Sequence, residues 1–115
     1  MQESYTLEKF NSGRTVVGDA ITELAKTDDR IWLLTPDIGW GCADFKAAYS
    51  GRFIDTGIAE QCVVGVSAGL ALEGSIPFII GMMPFMSMRD LEQVRTDLCY
   101  QNLPVRIIAN YSGLT

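Results

Sequence analysis

The chain has 115 residues, a mass of 12.6 kDa and a formal net charge of −5, with 48% hydrophobic and 20% charged residues. This is the make-up of one globular domain, and its acidity without a basic cluster argues against nucleic acid and against an anionic membrane surface. There is no histidine, which removes the usual zinc sites, Ser-His and Cys-His pairs, and any histidine acid or base supplied by this chain. Three cysteines, Cys42, Cys62 and Cys99, are an odd count without metal-type spacing. Two of them have apolar neighbours, and the reading is reduced core thiols in a cytoplasmic protein. The start, Met1-Gln2-Glu3-Ser4-Tyr5, lacks a basic-then-apolar leader. The longest apolar stretch, Ile76 to Phe85, is broken by prolines and a glycine and is too short to span a bilayer.

Residues 1–13 read as a polar arm, and residues 14–115 as the domain. From Thr15 to Lys26 the residues Val16, Val17, Ala20, Ile21, Leu24 and Ala25 recur at helical spacing. Ile31 to Thr35 is a continuous apolar run, which predicts a strand buried on both faces. A loop at Pro36–Gly41, a short helix over Ala43–Tyr49 and a short strand over Arg52–Asp55 follow. Ala59 to Leu72 predicts a helix whose middle, Val63 to Leu72, has no polar face. Such a helix must be covered by protein on all sides, so a partner subunit is expected against it. Ile76–Ile80 predicts a third strand, Gly81–Pro84 a loop, Met88 or Arg89 to Tyr100 a helix with Leu91, Val94, Arg95 and Leu98 on one side, and Val105–Ala109 a fourth strand.

Helices and strands alternate, which predicts a parallel α/β sheet flanked by helices. Ligands on such sheets bind at the carboxyl ends of the strands. Those ends are the segments Pro36–Gly41, Thr56–Glu60, Gly81–Met88 and Asn110–Thr115. No P-loop, Gly-x-Gly-x-x-Gly or Gly-x-Ser-x-Gly motif is present. The one unusual carboxylate is Glu60, in the first turn of the apolar helix. By position alone it reads as a helix-start acid favoured by the macrodipole.

Three runs carry a family resemblance. They are Arg52-Phe53-Ile54-Asp55-Thr56-Gly57-Ile58-Ala59-Glu60-Gln61, the small-residue stretch Val64 to Ala71 with Ile76-Pro77-Phe78, and Arg89-Asp90-Leu91-Glu92-Gln93-Val94-Arg95 continuing to Val105. With these runs the chain resembles the pyrimidine-binding domain of transketolase-type thiamine diphosphate enzymes. It resembles most the transketolases split into two chains, where this domain opens the C-terminal subunit.

The resemblance implies thiamine diphosphate as cofactor and Glu60 as its activator. In the family, the matching glutamate hydrogen-bonds the ring nitrogen N1′ of the aminopyrimidine. A carboxyl there favours the imino tautomer, whose exocyclic nitrogen can take the thiazolium C2 proton; the cofactor supplies the hard chemistry and the protein tunes it. Ile58 is implied beside the ring, with a core isoleucine as the plain alternative. Asp37 is implied near the cofactor, with an Asx-turn residue as its alternative. Phe85 and Arg89 are implied over the pyrimidine, with Met83, Met86 and Met88 around them. For Arg89 a surface or helix-start role is the other reading.

The family's Gly-Asp-Gly motif ending in Asn, which holds the diphosphate and Mg²⁺ or Ca²⁺, is absent from this chain. The resemblance therefore implies a separate, diphosphate-binding N-terminal subunit as partner, self-association through Ala59–Leu72, and a sheet incomplete at its C-terminal end. The implied reaction is two-carbon ketol transfer or related carbon–carbon bond formation on a sugar phosphate or 2-oxo acid. The alternatives are a non-catalytic assembly or regulatory subunit, or a subunit of deoxyxylulose phosphate synthase or 2-oxo acid dehydrogenase type. Whether the chain is a short natural subunit or a fragment is open at this stage.

Overall fold

The computed structural model describes residues 13–39 and 41–113. The arm expected over residues 1–13 lies outside the described residues except for Gly13, which opens the first helix. The elements in chain order are α1 (Gly13–Leu24), β1 (Ile31–Thr35), α2 (Ala43–Ala48), a 3₁₀ turn (Ser50–Arg52), β2 (Phe53–Asp55), α3 (Glu60–Leu72), β3 (Ile76–Met82), α4 (Met83–Met88), α5 (Leu91–Gln93) running on as a π-helical stretch (Val94–Cys99), and β4 (Arg106–Asn110).

The strands form one parallel sheet in the order β2-β1-β3-β4. Both faces are covered. On one face Leu33, Phe45, Ile80, Ile21 and Ala25 pack into one core cluster, built from α1 and α2. On the other, Leu34, Val63, Val64, Ala68, Ile79 and Leu98 form a second cluster under α3 and the π-helical stretch. Successive strand residues point to opposite faces, so Leu33 and Leu34, and likewise Ile79 and Ile80, divide between the two cores. That is why β1 and β3 read as unbroken apolar runs.

Strand order places the site. From β1 the chain moves outward to β2, then crosses back under α3 to β3 on the other side of β1. The connections after β1 and β3 therefore diverge at their carboxyl ends and leave a crevice between them. Open α/β sheets bind ligands at this kind of reversal.

Several expectations need correction. Gly81 to Pro84 is not a loop: Gly81 and Met82 finish β3, and Pro84 lies in the first turn of α4. Proline is at home there, since its missing N–H would have no partner anyway. Gly81 belongs in the strand because Met86 fills the space its side chain would take. Leu91 is 60% exposed, and Arg95 also faces solvent, bonded to Glu92 at 2.9 Å. The π-helical winding of Val94–Cys99 breaks the 3.6-residue register on which the expected apolar side was drawn. Of the cysteines only Cys42 is buried; Cys62 and Cys99 are exposed. Apolar neighbours in sequence misled here, because the open face of α3 is itself apolar. That face carries Gln61, Cys62, Gly65, Val66, Gly69 and Leu72, while Val63, Val64, Ser67, Ala68 and Ala71 point inward. The described residues thus leave one side of this helix open, the side against which a partner subunit is expected.

Candidate functional site

Two side chains build the rim of the crevice. The Asp55 carboxylate, at the end of β2, accepts from the amide of Asp37 at 3.0 Å and from the amide of Gly57 at 2.9 Å. One oxygen thereby ties the turn after β1 to the turn after β2. The Thr35 hydroxyl closes the turn after β1, donating to the Ile38 carbonyl at 3.2 Å and accepting from the Ile38 amide at 2.9 Å. Asp37 has φ +64° and Gly57 φ +71°. Both lie in the left-handed region, where glycine is free and aspartate is among the better-tolerated residues. The Gly57 turn reverses the chain so that Ile58 faces outward and Glu60 enters the first turn of α3.

Glu60 is only 3% exposed. Its Oε2 accepts a hydrogen bond from Nη1 of Arg89 at 2.9 Å. The Arg89 guanidinium lies 4.6 Å from the centre of the Phe85 ring, within cation–π range. No bond from the described residues reaches Glu60 Oε1. The carboxylate is thus fixed through one oxygen and free at the other. The helix macrodipole at the start of α3 favours its charge.

A cavity of about 130 Å³ opens at this point, lined by Pro36, Asp37, Ile38, Ile58, Glu60, Met82 and Phe85. It is mostly apolar, with Glu60 and Asp37 as its carboxylates. Complete small-molecule sites commonly measure ~300–1,000 Å³. This one has room for part of such a ligand. A larger hollow of about 300 Å³ lies between the π-helical stretch and β4, around Leu98, Leu103, Val105 and Ile107. It gathers no charged side chain, whereas the smaller cavity is lined by two carboxylates, Glu60 and Asp37.

Four of the five residues singled out in the sequence, Glu60, Ile58, Phe85 and Asp37, line this cavity together. Ile58 is 73% exposed, so it is not a core isoleucine but an apolar side chain held at the cavity mouth. Asp37 contributes its backbone amide to the Asp55 tie and is one of the residues lining the cavity. Arg89 stands behind Glu60 rather than on the cavity wall. Of the methionines named around Phe85, Met86 is buried in the core while Met83 and Met88 are exposed. Pro36, Ile38 and Met82 were missed. Met82 was legible as the last residue of a strand, once Gly81 is read as part of that strand. Pro36 and Ile38 lie in the Pro36–Gly41 segment expected at a strand's carboxyl end, but nothing in the sequence singled them out within it.

The family profile described as "Transketolase, pyrimidine binding domain" matches residues 11–114. The chain belongs to the transketolase pyrimidine-binding domain family. Among curated relatives, the 1-deoxy-D-xylulose-5-phosphate synthase of Clostridium perfringens strain 13 is 39% identical over 113 residues, which is 94% of this chain and 18% of the relative. The 1-deoxy-D-xylulose-5-phosphate synthase 1 of Geobacter metallireducens is 43% identical over 102 residues, 86% of this chain and 16% of the relative. A solved structure described as a split gene transketolase, inactive beta4 tetramer, superposes with a TM-score of 0.77 at 38% identity, covering 84% of this chain and 33% of that one. The pyrimidine-domain chain thus spans less than a fifth of the length of these curated relatives. The family is one of thiamine diphosphate enzymes. Among the described residues no helix is long and apolar enough to cross a membrane.

Proposed function

We propose that this chain supplies the pyrimidine-side half of a thiamine diphosphate site in a transketolase-like transferase. The observation that carries the reading is Glu60. It is a buried carboxylate, anchored through Oε2 by Arg89, with its second oxygen unclaimed beside an apolar cavity at the sheet's reversal point. These residues fit an aminopyrimidine. Ile58, Met82 and Phe85 offer apolar contact to ring faces, and Glu60 Oε1 offers an acceptor to a protonated ring nitrogen. When bound, the cofactor supplies the nucleophilic carbon.

The chain's own part follows from that geometry. Glu60 holds a proton at the ring nitrogen, and its burial keeps water from competing for it. Arg89 fixes the carboxylate's orientation from behind. Phe85 supports Arg89 by its ring face. The Asp55 tie holds the two turns so that Ile58 and Asp37 stay at the mouth.

The cavity admits only part of the cofactor. The diphosphate and its Mg²⁺ or Ca²⁺ are assigned to a diphosphate-binding partner subunit, and the histidine acid and base groups likewise. The open apolar face of α3 is assigned to a second copy of the chain. The reaction proposed is two-carbon ketol transfer or related carbon–carbon bond formation on a sugar phosphate or 2-oxo acid in the cytoplasm. The testing experiment is turnover by the chain reconstituted with its diphosphate-binding subunit, wild type against Glu60→Gln. Loss of turnover with assembly intact supports the reading; full turnover by the variant removes it.

A further inference from the structure

Thr35 closes an apolar strand with a hydroxyl. It is the last residue of β1, after Ile31-Trp32-Leu33-Leu34, and 0% of its surface is exposed. Valine, β-branched like threonine, would serve the strand as well without taking a polar group from water. The hydroxyl's bonds go to one residue of the turn that follows. It accepts from the Ile38 amide at 2.9 Å and donates to the Ile38 carbonyl at 3.2 Å. The Cys42 thiol donates to the same carbonyl at 3.6 Å. Both polar groups of the Ile38 backbone are thus held by buried side chains.

Asp55 stands opposite. Thr35 and Asp55 are register partners where β1 and β2 end, and the Thr56 amide donates to the Thr35 carbonyl at 3.1 Å. Asp55 Oδ1 holds the amides of Asp37 and Gly57. Between the Thr35 and Ile38 attachments lies Asp37, at φ +64°. That conformation is unfavourable for a residue with a side chain and persists where the surroundings fix it. Here the fixing bonds are the one from its own amide to Asp55 and the two between Thr35 and the next residue. Four residues of the cavity lining, Pro36, Asp37, Ile38 and Ile58, lie in the two turns so held. The rest, Glu60, Met82 and Phe85, are placed by α3, β3 and α4.

We propose that Thr35 is a positioning residue for the cavity: with its cross-strand partner Asp55 it presets the wall made by Pro36, Asp37, Ile38 and Ile58 before a ligand arrives. A flat ring then binds without first having to order two turns, and removing that ordering step is how pre-organisation raises affinity. The inference deepens the proposed pyrimidine site and rests on it for its purpose. The wall itself can be measured without cofactor.

The test is amide hydrogen exchange, read residue by residue by NMR on the 115-residue chain, with Thr35→Val, Thr35→Ser, Asp55→Ala and Asp55→Asn beside the wild type. Removing a buried partner should speed exchange at the freed amide about tenfold or more. Thr35→Val should do so at Ile38 and at the neighbouring Asp37, while amides of the central strands β1 and β3 keep their protection. Thr35→Ser restores the hydroxyl and should restore Ile38. Asp55→Ala should free Asp37 and Gly57 together. Asp55→Asn keeps an oxygen that can accept both bonds and should leave them protected. A second readout uses the chain reconstituted with its diphosphate-binding subunit. There Thr35→Val should raise the half-saturating concentration of thiamine diphosphate about tenfold, with a smaller change in turnover at saturation, and Thr35→Ser should reverse it. The split is expected because Glu60 is held by Arg89 and not by these turns. A role in stability alone would lower protection across the whole sheet and leave half-saturation in place, and that result overturns the proposal. An Ile38 amide as well protected in Thr35→Val as in wild type overturns it too. If exchange behaves as stated and the wild-type assembly does not bind thiamine diphosphate, the preset wall stands and only the proposed function falls.

Discussion

Gly65 is the sharpest probe of the open face of α3. It lies mid-helix, and a Cβ built there meets nothing within 4 Å. Within one chain, Gly65→Leu therefore causes no clash. It also replaces a poor helix former with a good one, a gain of about 0.5–1 kcal/mol. For a domain of this size that is a rise of roughly 2–6 °C in Tm. The same leucine stands on the stripe Cys62, Gly65, Val66, Gly69 and Leu72, an apolar face that none of the described residues covers. If a second copy packs there, closely approaching backbones leave no room for a leucine, and overpacking costs about 1–3 kcal/mol. That weakens association by about 5- to 150-fold. The two effects have opposite signs, which makes the experiment decisive. Thermal denaturation at low concentration should show a Tm at or above wild type. Sedimentation velocity across a concentration series should show a weaker assembly. Normal assembly by Gly65→Leu, or a wild type that stays monomeric at micromolar concentration without a partner, refutes the assignment of this face.

Glu60→Gln should leave assembly intact and lower turnover of the reconstituted enzyme about a hundredfold or more, since a site-specific electrostatic contact of this kind is worth roughly 3 kcal/mol. Burial pushes the Cys42 thiol up to about 11, with the Asp55 charge adding to the effect. At pH 8 it should therefore resist alkylation while the exposed Cys62 and Cys99 react, and mass spectrometry of iodoacetamide-treated chain checks the order. Gly81→Ala should destabilise the domain by about 1–3 kcal/mol, because the new methyl enters the space of the Met86 side chain under β3, and urea denaturation reads the loss.

What the sequence revealed, and what it hid, follows from how far each signal acts. The strands Ile31–Thr35 and Ile76–Met82 are apolar on both faces because both faces are covered, and that condition is visible in the residues themselves. Glu60 was legible as a helix-start acid by position and as a site residue only through the family resemblance of the run Arg52–Gln61; in the structure Gly57, with its positive φ, turns the chain three residues before α3 begins. Local punctuation failed where tertiary packing overrode it. Gly81 and Pro84 read as a loop, yet Met86 occupies the glycine's vacant side and the proline sits in a helix's first turn. The exposed positions of Cys62 and Leu91 were hidden for a related reason: one lies on an apolar face left open, the other beside a π-helical register shift. Asp90 gave no sign of burial at all. In sequence it is one acid in a charged run, and only the three-dimensional packing reveals that it is fully buried.

The central claim is that this chain holds the pyrimidine end of the cofactor and depends on another subunit for the diphosphate end. Isothermal titration of thiamine diphosphate with Mg²⁺ tests it most directly, using the 115-residue chain alone and then the chain assembled with a diphosphate-binding subunit. The account predicts no measurable heat from the chain alone and saturable, Mg²⁺-dependent binding by the assembly. Tight, Mg²⁺-dependent binding by the isolated chain would contradict it.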